Sequence, residues 1–295
     1  MGRVDNVTAT ESGGSVVRRI LLGSQLRRLR EARGITREAA GYSIRASESK
    51  ISRMELGRVS FKTRDIEDLL TLYGVSDERE RSALLGLARE ANVAGWWHSY
   101  SDVLPGWFPT YVGLEAAASV IRVFEVQFVH GLLQTEGYAQ AVITRGMKDP
   151  EEQREEIDRR VALRLERQKK LVSEHAPRFH AVLDEAALHR PYGGREVMRD
   201  QLEHLVEMSE HPNVTLQVMP FSYGGHTAET GAFSLLTFPE PDLSDVVYTE
   251  QLTSALYIDK AEEVGLYTGV MDSLTSECPG PDESRDLLRE MLQQY

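Results

Sequence analysis

Residues Thr36–Gly57 read TREAAGYSIRASESKISRMELG. Thr36 can cap a short helix, because its hydroxyl accepts one of the backbone N–H groups that a helix start leaves unpaired. Glu38 and the small Ala39 and Ala40 follow it. A turn over Ser43–Ala46 leads to Ser47, a second capping residue, and to a further helix, SESKISRMELG, that Gly57 closes. Ile51 and Met54 lie three apart and face inward, which puts Glu48, Ser49, Lys50, Ser52 and Arg53 on the outward face. Two short helices, a tight turn and a small-residue contact at Ala40 describe a helix-turn-helix.

The flanks extend this unit to five helices. LLGSQLRRLREARG places Leu22, Leu26 and Leu29 at helical spacing and stops at Gly34. TRDIEDLLTLYG carries Ile66, Leu69, Leu70 and Tyr73 up to Gly74, and a fifth helix over Ser76–Asn92 is capped by Ser76 or Asp77. Residues 1–15 are polar and rich in Gly and Ser, which predicts a disordered arm. The expected domains are therefore an arm over 1–15, an all-α helix-turn-helix domain over 16–92, and a second domain over 93–295.

Charge separates the two domains. The chain has 295 residues and a formal charge of −12, which on its face argues against a polyanion as partner. Between Arg18 and Arg64, however, 13 Arg or Lys face only four acids, giving +9 and leaving −21 elsewhere. A basic helix-turn-helix suits the major groove: the outward face of its second helix reaches base edges, while flanking cations hold phosphates. Ser47, Glu48, Ser49, Lys50, Ser52 and Arg53 are the candidates for base edges and the helix start. Arg37, Arg58 and Lys62 are the candidates for phosphate.

The run from Thr36 to Gly57 resembles the Xre (cro/lambda-repressor-type) helix-turn-helix and aligns to it without gaps. Ala40 falls at the family's small position, Ile44 at the apolar plug of the turn and Ser47 at the cap, and ISRMELG is similar to the family's ISRIENG ending. The sequence departs at Gly41, where Ala is preferred, and at Leu56, where Asn is common. The resemblance implies that Glu55 braces the domain rather than touching DNA.

Beyond Asn92 the texture changes. GWWHSYSDVLPGWFPTY holds Trp96, Trp97 and Trp107, which read as a ligand-pocket lining or as a hinge between domains. A helix is expected over Pro109–Ala118, a strand over Val120–Val129, and a helix started by Thr135 and Glu136. Asp149-Pro150 is expected to open the longest helix, Pro150–His175. Further strands are expected at Arg178–Asp184, Val214–Met219, Gly231–Phe238 and Asp245–Tyr257, the last broken near Leu252–Ser254. Helices are expected at Glu185–Arg190, Glu196–Glu210, Lys260–Leu274 and Ser284–Gln294. Helices and strands do not alternate strictly, so the expectation is an α+β domain with a mainly antiparallel sheet. FEVQFVHGLLQTEGYAQAVI, RLERQKKL, VLDEAALHRPYGG and HPNVTLQVMPFSYGGHTAETGAFSLLTF resemble the effector domain of actinobacterial WhiJ-like, antitoxin-like Xre regulators, with His130 where that family usually has Pro. This resemblance implies a transcriptional regulator associated with a small partner protein encoded nearby.

No signature of catalysis stands out. HExxH, G-x-S-x-G, a phosphate-binding P-loop and GxGxxG are all missing. Eight scattered His and one Cys give no metal-ligand spacing and no disulfide framework, so neither a metal nor a cofactor is expected. Asp184 and Glu185 read as helix-start residues. SYGGHTAETG, between two strands, reads as a hairpin loop needing glycine torsions, or as a ligand loop in which Gly224 and Gly225 let a molecule approach and His226, Thr227 and Glu229 offer polar groups. No apolar run is long enough to span a membrane, and the polar N-terminus lacks a signal-peptide core, so a cytoplasmic location is expected. The sequence thus reads as a non-enzymatic transcriptional regulator, a repressor that binds double-stranded DNA as a homodimer. A small-molecule ligand or a small partner protein would control it. The alternative is an antitoxin-like module that sequesters such a partner.

Overall fold

The computed structural model describes residues 9–228, 231–241 and 243–295. The chain forms two compact units: one of residues to Ser99 with Phe108–Ala117 and Glu240–Leu243, the other of Tyr100–Trp107, Ala118–Pro239 and Ser244–Tyr295.

The first unit contains α1 (Ala9–Ala32), α2 (Arg37–Ser43), α3 (Glu48–Glu55), α4 (Thr63–Leu72), α5 (Glu78–Ala91) and α6 (Phe108–Ala117). Its helix starts follow the local chemistry. The Thr36 hydroxyl accepts from the Ala39 N–H, the Ser47 hydroxyl from Lys50 N–H, and the Asp77 carboxylate from Glu80 N–H. Gly34, Gly57 and Gly74 close α1, α3 and α4 with φ of 65°, 64° and 71°, a region that L side chains avoid. Leu22, Leu26, Ala40, Ile51, Met54, Ile66, Leu69 and Tyr73 share one buried core, each large side chain contributing about 1.5–3 kcal/mol by leaving water.

Two expectations need correcting here. Of the segment read as a disordered arm, residues 1–8 lie outside the described residues, but α1 runs from Ala9 and buries Ser15, Val16 and Val17. The cause is α6, which lies against α1: Gly113 has no Cβ, and one would collide with the Val16 side chain. Among the described residues the first unit therefore holds six α-helices rather than five, because α6 groups with it.

The second unit is built on β1 (Val120–Glu125), α7 (Glu136–Arg145), α8 (Arg154–Gln168), β2 (Arg178–Asp184), α9 (Glu185–Leu188), α10 (Arg195–Met208), β3 (Val214–Met219), β4 (Phe233–Thr237), β5 (Val246–Glu250), β6 (Ala255–Ile258), α11 (Ala261–Glu277) and α12 (Pro281–Leu292). The strands form one sheet of order β3-β2-β1-β4-β5-β6. β1, β2 and β3 are parallel, with Val120 opposite Arg178 and Phe179 opposite Val214. β4, β5 and β6 continue antiparallel. The sheet is thus mixed, not mainly antiparallel. The helical connections α7–α8 and α9–α10 carry the chain back across the sheet, the condition for parallel neighbours, whereas β4–β6 form a short-looped meander.

Local satisfaction also explains two shifted boundaries. β1 ends at Glu125 rather than Val129. The Val129 carbonyl accepts from Gln134 Nε2 at 2.6 Å and its N–H donates to the Tyr138 hydroxyl, so that backbone is paired off the sheet. Asp149-Pro150 does not open α8, which starts at Arg154 after Gln153 and gives way to a 3-10 turn at Lys169. Asp184 does cap α9, accepting from the Ala186 N–H at 2.8 Å. On one face of the sheet Phe124, Val182, Leu235 and Val247 pack against Val264, Met271 and Leu274 of α11.

Candidate functional site

α3 is held from beneath. Ile51 and Met54 are 1% exposed, and Glu55, at 2% side-chain exposure, accepts from two guanidiniums: Arg30 of α1 and Arg37 of α2, the latter at 2.9 Å. Arg30 also donates to the Ile35 carbonyl at 2.8 Å. One buried carboxylate therefore ties α1, α2 and α3, and its hydrogen bond is the main reason the Arg30 pKa is raised. Two glycines let backbones approach: a Cβ on Gly23 would lie 2.5 Å from the Met54 carbonyl oxygen, and one on Gly41 2.7 Å from that of Ala46. The glycine at 41, read from sequence as a weak helix residue, is what lets α2 seat the start of α3.

The candidate residues divide into two groups. Ser47, Glu48, Ser49 and Arg53 are exposed on α3 or its cap, Ser52 is half-buried, and Arg58 and Lys62 are exposed beyond its C-terminal end. Lys50 and Arg37 are committed elsewhere. The Lys50 ammonium lies 2.6 Å from Asp65 Oδ2 of α4, with side chains 30% and 13% exposed. Arg37 is bound to Glu55. Both ion pairs run between helices and help to place α3. A charge read from sequence carries no partner, and the partners lie 15 and 18 residues away.

Two residues at the turn escaped the sequence reading. Tyr42, in the last turn of α2, is 88% exposed. Arg45 is exposed and holds φ at 54°, the only non-glycine among the described residues with positive φ. Helical spacing would have revealed Tyr42, because it is off the Ala40–Ile44 stripe. The strained torsion of Arg45 had no sequence signal.

In the second unit a cavity of about 600 Å³ opens beyond the carboxyl ends of the parallel strands. Val126, Tyr223, Gly225, His226, Thr227 and Glu277 line it. His226 Nδ1 accepts from the Ala228 N–H at 3.2 Å, Nε2 faces Asp184 Oδ2 at 3.7 Å, and the ring stands edge-on to Phe124. Gly224 and Gly231 take φ of 86° and 98°, as a tight loop requires. Glu229 lies outside the described residues. Among the described residues no group of three or more His, Cys, Asp or Glu is placed to hold a metal, and no helix is long and apolar enough to cross a membrane.

A family model described as a domain of unknown function, DUF5753, matches residues 108–290, more than half of the chain. The chain belongs to the DUF5753 family. A second model, described as a helix-turn-helix domain, matches residues 21–84, which span the second half of α1, all of α2–α4 and the first half of α5. That domain suggests a DNA-binding regulator. No curated protein and no solved structure matches the chain.

The DUF5753 match begins at α6 and contains every residue named for the cavity. All three tryptophans precede it. Trp97 is 1% exposed in the first unit, packed against Gly95 and Gly113, and Trp96 stands edge-on to it at 5.9 Å. Trp107 belongs to the second unit, where its carbonyl accepts from the Tyr257 hydroxyl and its indole N–H reaches Glu250. None of the three lines the DUF5753 cavity. The dense Trp segment reflects packing demand in two separate places, which periodicity could not distinguish from a pocket.

Proposed function

We propose that this protein is a sequence-specific DNA-binding transcriptional regulator, a repressor, in which α3 enters the major groove. The observation that carries the reading is an α3 fixed on its inner side by Glu55, Ile51 and Met54 while Glu48, Ser49 and Arg53 remain exposed. Arg45, Arg58 and Lys62 surround it with cations free for phosphate, and Tyr42 adds an aromatic surface beside the turn. Charge-assisted contacts of this kind give affinity, and Arg53 offers the bidentate donor that reads guanine. A homodimer spacing two such helices one helical turn apart would supply the rest of the specificity.

The DUF5753 region then has the role of receiving a signal and biasing operator affinity. The test is genome-wide mapping of bound DNA, followed by titration of the recovered site with the full chain. Sequence-specific binding that Arg53→Ala weakens at one base pair supports the reading. Binding no tighter to the recovered sites than to scrambled duplex refutes it.

A further inference from the structure

We propose that the DUF5753 unit carries the homodimer interface of this chain, in which β6 of one copy pairs antiparallel with β6 of a second copy. The two edges of the sheet differ. At the β3 edge α12 packs along the strand, and the Val218 N–H donates to the Ser284 hydroxyl of α12 at 3.0 Å. That edge is closed. At the other edge β6 pairs with β5 alone among the described strands. The hairpin fixes which way β6 turns its backbone. The Gln251 N–H donates to the Ser254 carbonyl at 2.8 Å, which makes these two a hydrogen-bonded pair. Such pairs alternate along antiparallel strands. Leu256, opposite Thr249, therefore turns its N–H and C=O toward β5, and Ala255 turns both outward. An edge of this kind takes another extended strand.

Natural sheets guard an open edge with charged side chains, proline or a bulge. The run Gln251–Ile258 has no guard: it holds neither a charge nor a proline, in a chain that is 27% charged, and β5 pairs with β6 without a bulge. Instead it exposes two leucines, Leu252 at 97% and Leu256 at 59%.

What this run selects is its own copy. An uncharged edge offers a charged strand no counterion. A two-fold axis at Leu256 sets that leucine against its counterpart, Ile258 against Ser254 and Asp259 against Thr253, so apolar groups are covered and no like charges meet. With the β3 edge closed, a pair of β6 edges uses up both open edges, and the assembly stops at two copies instead of growing into a fibre. β6 is four residues long, so the interface is small and the dimer weak and reversible.

The use of this dimer on DNA rests on the regulatory reading above; the strand pairing does not. Sedimentation equilibrium of the full chain over a concentration series should show a reversible monomer–dimer equilibrium. Leu256→Lys should weaken it about tenfold or more at an unchanged melting temperature, because each copy loses a covered leucine and two like charges then face each other. Leu256→Cys, oxidised at a concentration that favours the dimer, should run as a disulfide-linked dimer on a non-reducing gel, since directly opposed residues lie within disulfide reach. The parent should give no such band, its Cys278 being 7% exposed, and Leu266→Cys, at a 70% exposed position on α11, should stay uncrosslinked. A parent chain that is monomeric at every concentration, a dimer of full strength in Leu256→Lys, or crosslinking of Leu266→Cys as fast as of Leu256→Cys would each overturn the interface. A dimer that Leu256→Lys dissociates with unaltered operator affinity supports the interface and overturns only its use on DNA.

Discussion

Replacing Glu55 by Ala should unfold the helical unit at a much lower temperature. The side chain is 2% exposed and satisfies Arg30, itself 8% exposed, and Arg37, 35% exposed. Removing one partner of a buried pair leaves an uncompensated charge and costs about 3–5 kcal/mol. Arg30 keeps the Ile35 carbonyl and a half-exposed Glu31, so the lower end applies, about 3 kcal/mol. For a unit of this size that is a drop in Tm on the order of 12 °C or more. Arg37→Ala, at the exposed side of the same carboxylate, should cost no more than about 1 kcal/mol. Scanning calorimetry of the full chain reads both, because the two units need not melt together. A Glu55→Ala transition within about 2 °C of the parent would refute the claim that this carboxylate positions α3.

Lys50→Ala should lower the stability of the helical unit by about 1–2 kcal/mol, between surface and buried pairs, and Asp65→Asn should lose a similar amount. The double variant should show them non-additive in chemical denaturation, and additive losses would count against the pair. Lys50→Ala should also leave base preference at the operator unchanged, which a base-by-base substitution series checks. Gly41→Ala, ordinarily a gain of about 0.5–1 kcal/mol in a helix, should instead destabilise, since its Cβ would lie 2.7 Å from the Ala46 carbonyl oxygen; a raised Tm would contradict this. With its thiol pushed up to about 12, Cys278 should resist a thiol reagent at pH 8 in the native protein and react only on denaturation. Native-state labelling at the denatured rate would show that the thiol is neither buried nor protonated.

Features decided within a few residues were legible in the sequence. Thr36, Ser47 and Asp77 cap helices because each acceptor sits three residues before the N–H it takes, and Gly34, Gly57 and Gly74 close helices for a torsional reason local to glycine. β2 and β3 were readable to the residue as dense β-branched and apolar runs. Features decided by distant partners were not. Strand direction in the sheet depends on where α7–α8 and α9–α10 carry the chain, so the parallel half was missed. The helix over residues 9–15 depends on α6, almost a hundred residues later, whose Gly113 admits Val16. The basic residues around α3 were visible, but not the acids that pair with Lys50 and Arg37.

The DNA-binding account stands most directly on Arg53. Once the bound sites are mapped, the affinity of Arg53→Ala for the native operator and for each single base-pair variant is measured by fluorescence anisotropy at fixed salt. A loss of about 1–3 kcal/mol on the native site, vanishing on the variant that lacks the cognate base pair, is expected. Unchanged affinity on the native operator, or an equal loss on every sequence, would contradict α3 as the base-reading helix.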